Sequence, residues 1–331
     1  MIRPTLIPGL PRIWCPDGQL QLGSDPARAL RLRLPDRRAA QVLDLLDGTR
    51  TERLILLRAA EIGISPDECR SLLSTLQDAG LVLPRSALRP PAARLAGEAA
   101  ALALHGAGPP ADFLRRRQAA RVVLAGHGRL GAGIAVALAE AGVGHVQPDL
   151  SGAVRPGELA GGPLRASDIG KPRRAAIVEA MSRAAPEVLH GVRRTTATLL
   201  VQFDHEQPVS LLAAALFGRR QPHLAVTIRQ GAAVIGPLVP ATGGPCLNCL
   251  ALHRRDRDAE WPDQPGTAAT VAEPCTVTTV LTATAFAAAE VLAFLDGGSP
   301  QTAGATVEIT GPGRVRRRTW TPHPVCTCGR P

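Results

Sequence analysis

Tyrosine is absent from this 331-residue chain, aromatic residues make up only 2% of it, and lysine is confined to Lys171. With abundant Ala, Leu, Val, Gly, Pro and Arg, these shortages are the compositional bias of a GC-rich genome. A secretory signal is also missing, because Met1 to Pro11 has no continuous apolar core and is broken by Pro4, Pro8 and Pro11. The longest apolar stretch, Val277 to Leu295, carries several Thr and Glu290 and suits a buried helix better than a membrane span. A cytoplasmic protein with no membrane partner is therefore expected. The formal charge of +10 is spread along every segment and forms no arginine block, so it is a poor argument for a nucleic-acid partner. In a reducing compartment the seven cysteines are expected to be ligands, nucleophiles or core residues, not disulfides.

The length suits two domains. In the first, Arg12 to Cys15 and Gln19 to Gly23 flank the turn Pro16-Asp17-Gly18, a hairpin signal, and Leu30 to Leu34 alternates with period two as a strand does. Asp36 is placed to cap a helix reaching Leu46, Thr49 or Thr51 to open a second, and Ser65-Pro66-Asp67-Glu68 to open a third that ends at Gly80. Leu81 to Leu83 returns as a strand. Strands, three helices and a returning strand predict a small winged-helix domain over 1–84. Residues 85–118, rich in Pro and Ala, read as a linker with one helical segment, Ala93 to Leu104.

From 119 to 331 the pattern becomes alternating strands (Arg121–Ala125, His145–Asp149, Thr198–Phe203) and helices (Leu130–Ala141, Pro172–Ala184, Val209–Phe217). This predicts an α/β domain with a Rossmann-type, mostly parallel sheet covered on both faces. No internal repeat interrupts it. Gly126-His127-Gly128-Arg129-Leu130-Gly131 fits G-x-G-x-x-G between the first strand and helix. Gly126 and Gly128 permit a tight turn and close approach to phosphate, and Gly131 allows the helix to pack on the strand. Asp149 ends the next strand, where an acid can meet ribose hydroxyls. A glycine-rich turn kept only for packing explains the same residues.

Cys246-Leu-Asn-Cys249 and Cys326-Thr-Cys328 together offer four thiolates, the tetrahedral set zinc prefers, with no coordination position left for substrate. A structural zinc staple on the C-terminus follows, with His323 a conceivable substitute for one sulfur. Cys275 precedes the long apolar helix, whose N-terminus lowers a thiol pKa, and is a candidate nucleophile; a small buried cap residue reads equally well there. Cys15 and Cys69 are expected in the core. His253-Arg254-Arg255-Asp256-Arg257-Asp258 is either a partner-binding surface or a solvated helix face with local ion pairs.

Taken together, Gly126 to Gly131, Ala141-Gly142-Val143-Gly144, Asp168-Ile169-Gly170-Lys171-Pro172-Arg173, Pro186-Glu187-Val188 and the cysteine pairs resemble the ThiF/MoeB branch of the ubiquitin-activating-type superfamily. Those enzymes adenylate the carboxyl terminus of a peptide or small protein. Gly236-Pro237-Leu238-Val239, Pro245 to Leu250, His253, Asp256-Arg257-Asp258 and Trp261-Pro262 resemble, more narrowly, the bacteriocin-type subgroup that serves cyclodehydratases of azoline-containing peptides. The narrower resemblance spans almost the whole chain. It implies an N-terminal clamp that binds a precursor's leader peptide as an added strand, a cyclodehydratase partner and a homodimer.

The resemblance also implies ATP and magnesium, with Asp149, Arg173 and Asp204 carrying nucleotide and metal and Cys275 at the sulfur-carrying position. The chain departs from the pattern: Ser151 stands where a second acid is expected, Arg155 alone substitutes for the usual phosphate contacts, and Thr276-Val277-Thr278-Thr279 replaces a glycine-containing segment. Asp204 is flanked by Phe203 and by His205-Glu206. A leader-binding scaffold with a degenerate adenylation site is the expected function, and an active ATP-dependent adenylyltransferase the alternative. A DNA regulator is disfavoured because the third helix offers Arg70 against Asp67, Glu68 and Asp78. A nicotinamide oxidoreductase rests on the glycine loop alone.

Overall fold

The computed structural model describes residues 2–329 apart from 27, 107, 206, 261–272 and 312, so Glu206, Trp261 and Pro262 lie outside the described residues. The chain divides into two compact units, Met1–Arg115 and Arg116–Pro331.

In the first unit β1 (Pro4–Leu6) pairs antiparallel with the returning β5 (Val82–Pro84), and β2 (Arg12–Trp14), β3 (Leu20–Leu22) and β4 (Leu30–Leu32) form an antiparallel sheet in that order. The turn between β2 and β3 closes through Gly18, whose φ of 80° suits glycine. Asp36 caps the next segment, accepting from the Arg38 amide at 2.8 Å, as anticipated. Residues Arg37–Leu45, however, form a 3₁₀ helix and not an α-helix. The buried Ala39, Val42, Leu43 and Leu46 recur mainly at three-residue spacing, which a helix of three residues per turn aligns on one side.

Helices α1 (Glu52–Glu61) and α2 (Pro66–Asp78) follow. A capping box opens α2: the Glu68 amide donates to Ser65 Oγ, and Glu68 accepts from the Ser65 amide. The segment read as a linker is more helical than its composition suggested, containing α3 (Arg85–Leu88), a 3₁₀ turn (Ala93–Leu95), α4 (Ala96–His105) and α5 (Pro110–Ala119). Its apolar residues are occupied with one another, since Leu95, Ala99 and Leu114 form a small buried cluster.

The second unit alternates β6 (Arg121–Gly126), α6 (Gly131–Glu140), β7 (His145–Leu150), α7 (Arg173–Ala184), β8 (Leu199–Gln202), α8 (Val209–Gly218), β9 (His223–Arg229) and β10 (Ala232–Val239). It continues with α9 (Leu247–Arg255), α10 (Val277–Leu295), β11 (Ala305–Ile309) and β12 (Val315–Thr319). The seven-stranded sheet has the order β12-β11-β10-β9-β8-β6-β7. Strands β9, β8, β6 and β7 run parallel, and from β9 to β12 every pairing is antiparallel. The apolar α10 is a core helix: Ala283, Ala287 and Val291 are fully buried, and the buried Glu290 accepts from the Thr302 amide at 2.7 Å and from its hydroxyl. A carboxylate so anchored belongs to a protein interior and not to a lipid-facing surface.

Candidate functional site

Cys246 is the N-cap of α9 and Cys249 lies in its first turn, so a single helical turn brings both sulfurs to one side. From the far end of the chain Cys326 and Cys328 close on them, and the four sulfurs lie within 4.8 Å of one another. Cys246 Sγ is 3.8 Å from Cys249 Sγ and 3.7 Å from Cys326 Sγ, and Cys249 Sγ is 3.3 Å from Cys328 Sγ. A zinc ion bound tetrahedrally at about 2.3 Å from each sulfur needs sulfurs about 3.8 Å apart, so the donor set fits the metal. Cys246, Cys249 and Cys326 are buried, and the Cys326 sulfur accepts from Asn248 Nδ2 at 3.4 Å. The Cys246 S–H holds the Cys249 thiol down to about 4, while burial pushes Cys328 up to about 12.

His323 is not a fifth candidate. Its Nδ1 accepts from the Val325 amide at 3.2 Å and its Nε2 faces Asp256 Oδ2 at 2.9 Å. The neighbouring His253 Nε2 is 3.0 Å from the Thr321 carbonyl. Both imidazoles therefore brace the C-terminal loop that delivers Cys326 and Cys328. His323→Ala is expected to leave one zinc per chain while lowering Tm by a few degrees; metal analysis with thermal unfolding checks this.

The glycine loop is where the sequence put it, between β6 and α6. A Cβ on Gly126 would collide with the Asp204 carbonyl and one on Gly131 with Leu150, whereas one on Gly128 would meet nothing nearer than Phe203 at 3.9 Å. Close packing thus accounts for Gly126 and Gly131. Gly128 alone is left to its backbone, at φ 141°, and to whatever approaches it. Arg129 ties the loop down, reaching the carbonyls of Glu273 (3.4 Å), Cys275 (3.3 Å) and Ala160 (3.2 Å). A small cavity of about 10 Å³ is lined by Gly128, Asp204 and Glu273 among the described residues.

Asp204 follows β8 and accepts from Thr227 Oγ1 at 2.5 Å. Burial, with the nearby Glu273 carboxylate, pushes its pKa up, and burial pushes that of His205 down. A raised carboxyl pKa means that folding is disfavoured when the group must ionise, so stability is lost as pH rises through the folded value. Asp204→Asn is expected to raise Tm at pH 7, with the gain vanishing as pH falls below the ordinary carboxylate range.

The other nucleotide candidates are held by partners that the sequence did not reveal. Asp149 Oδ2 is paired with Arg194 Nε at 2.6 Å. Arg173 is buried and bidentate on Glu158, with Nε to Oε2 at 2.9 Å and Nη2 to Oε1 at 2.6 Å, and its guanidinium also donates to the Ser151 and Ala153 carbonyls. It braces the 151–158 loop with four of its five N–H groups. Cys275, the candidate nucleophile, is half-buried just before α10. Burial raises its pKa above the ordinary thiol value, and its S–H donates to the Gly231 carbonyl at 3.7 Å. Cys69 is fully buried as expected, but Cys15, at the hairpin turn, is only half-buried.

A second feature, in the first unit, is a groove of about 290 Å³ between β4 with the residues after it and α2. Glu68, Ser71, Leu72 and Thr75 of α2 line one wall at helical spacing, with Ile64 just before the helix, and Arg31 to Asp36 line the other. β4 is an edge strand, bonded only to β3 among the described residues. On α2, Arg70 pairs with Asp67 and Glu68 is spent on the cap, so the helix offers no free base to a phosphate backbone.

No family model and no curated protein matches the chain by sequence. Among solved structures it is similar to E. coli MccB with ATP, at 15% identity and TM-score 0.66 over 98% of this chain and 99% of that one. It is similar to the microcin C7 biosynthetic enzyme MccB in complex with N-formylated MccA, at 16% identity and TM-score 0.67 over the same shares. PaaA aligns at 15% identity and TM-score 0.67, over 94% of this chain and 98% of that one. At such identities the likeness is one of fold, and it extends through both units: the chain has the α/β fold of these proteins.

Proposed function

We propose that the chain acts in ribosomal peptide biosynthesis as a leader-peptide-binding scaffold of the bacteriocin or azoline type, presenting a precursor to a cyclodehydratase. The groove between β4 and α2 carries this reading. It has what an added strand requires: an exposed sheet edge for main-chain hydrogen bonds, and an apolar floor for alternate side chains from Leu72 of α2 and Ile64 just before it. We read the three-stranded sheet with its following helices as a winged-helix clamp. That MccB is captured with MccA, a peptide, supports the comparison.

On this reading zinc, held by Cys246, Cys249, Cys326 and Cys328, is structural; it fixes the C-terminal loop against α9 and supplies no reaction step. The adenylation site is degenerate. Asp149 and Arg173 serve intramolecular ion pairs, which supports this reading. The second reading, an ATP- and magnesium-dependent adenylyltransferase, is favoured by one observation: Asp204 sits against the glycine loop, its backbone carbonyl accepting from the His127 amide at 2.9 Å.

The test fills the groove. Thr75→Arg and Ser71→Arg project bulk and charge into it from an exposed helix face and should leave Tm within about 2 °C, since such surface changes alter stability by about 0.5 kcal/mol or less. Each variant is expected to bind a fluorescein-labelled precursor leader peptide at least tenfold more weakly. Unchanged binding by both would remove the groove from the account.

A further inference from the structure

The arginines at the far edge of the large sheet remain outside the proposed function. β12 is the last strand and three of its five residues are Arg316, Arg317 and Arg318. Within its hairpin the Trp320 amide donates to Gly304 O at 2.9 Å and the Thr310 amide to Arg314 O at 3.0 Å. Hydrogen-bonded pairs alternate along an antiparallel ladder, so Arg316 and Arg318 turn their backbone groups towards β11. The N–H and C=O groups of Val315, Arg317 and Thr319 therefore point outward, where no described strand meets them. Side chains also alternate: Arg316, Arg318 and Trp320 share one face, and Arg317 is on the other, donating to Gln301 O at 3.0 Å.

On that face the positive charge is concentrated from two elements. The Arg318 guanidinium lies 4.1 Å from the Trp320 ring centre, and Arg257 and Arg254, at the end of α9, approach the same ring at 5.8 and 6.0 Å. Burial, with Arg229 and Arg257 nearby, pushes the Arg254 pKa down to about 10. Arg257, Arg316 and Arg318 make no ion pair among the described residues; Asp256 is committed to His323, and the one acid facing them across the ladder is Glu308, opposite Arg316. Charges on an edge strand can serve merely to discourage aggregation. That purpose needs no second set of guanidinium groups drawn from a helix onto the same indole.

We infer that this edge is a docking site for an extended acidic segment of a partner polypeptide, which adds to β12 as a further strand and sets alternate Asp or Glu side chains against Arg316 and Arg318. The outward backbone of β12 supplies the strand pairing, and the convergent arginines supply the charge selection. Alternate residues of an added strand repeat at about 6.8 Å, the spacing of Arg316 and Arg318 themselves. The site lies in the second unit and is independent of the leader groove.

The full-length protein is titrated against a fluorescein-labelled decapeptide of strictly alternating Glu and Thr, followed by anisotropy at low salt. The controls are a decapeptide of the same composition in Glu-Glu-Thr-Thr order and a single-stranded oligothymidylate of equal charge. The alternating peptide is expected to bind at least tenfold more tightly than either control. Arg316→Glu with Arg318→Glu should weaken it at least tenfold, and Arg317→Gln less than twofold. Arg317→Pro, which removes one outward N–H and no ladder bond, should weaken it several-fold with Tm retained. Equal affinity for both peptide orders, oligothymidylate binding as tight as the alternating peptide, or indifference to the double charge reversal would each overturn the site.

Discussion

Cys246→Ser is expected to abolish stoichiometric zinc and to lower the Tm of the Arg116–Pro331 unit by about 10 °C or more. Structural zinc contributes roughly 10–16 kcal/mol in peptides that have no other core. Here the sheet has a large core of its own, from Val122 and Leu124 to Val307 and Ile309, so the ion adds to an existing fold. A loss of roughly 4 kcal/mol is the expected minimum, and at about 2–4 °C per kcal/mol for a unit of this size it gives the stated shift. The damage should be local first. Without the metal, Cys326 and Cys328 keep only weak ties, such as Asn248 Nδ2 to Cys326 Sγ, so hydrogen exchange should accelerate in the 320–329 segment before it does in β10 or α10. Metal analysis that finds the variant still loaded, or an unchanged Tm with zinc absent, would show that the four thiols are packing residues.

Arg173→Met is expected to destabilise the protein by about 3–5 kcal/mol, because it leaves Glu158 buried without its counter-charge. The double variant Arg173→Met with Glu158→Leu should recover most of that loss, since an apolar pair of similar volume removes the stranded charge along with its partner. Denaturant unfolding of the wild type, both single variants and the double variant closes the cycle. If Arg173 instead served nucleotide phosphate, the single substitution would leave stability nearly intact and weaken ATP binding, with no rescue from Glu158→Leu. The two readings of one arginine are therefore separated by which quantity moves.

What the sequence revealed depended on whether the relevant partner was local. The cysteine pairs were legible because zinc imposes short spacings, and the β6-loop-α6 unit because its glycines mark a turn. The capping box of α2 was readable for the same reason. The β9–β10 hairpin was not: its two-residue turn is Gln230-Gly231, both at positive φ (51° and 84°), where Asn-Gly would have announced it. β12 was missed because Val315-Arg-Arg-Arg-Thr319 lies on an exposed edge and has no apolar alternation to display. Glu158 and Arg194, fifteen and forty-five residues from the groups they neutralise, could be found only in three dimensions. Motif position assigned their partners Arg173 and Asp149 to nucleotide without counting the charges that face them.

The central claim, a peptide-binding scaffold whose adenylation site no longer works, meets its most direct test in ATP–pyrophosphate exchange with magnesium and a cognate precursor peptide. The account predicts no exchange above background at saturating peptide. Robust peptide-dependent exchange that disappears in Asp204→Ala would contradict it and establish the chain as an adenylating enzyme.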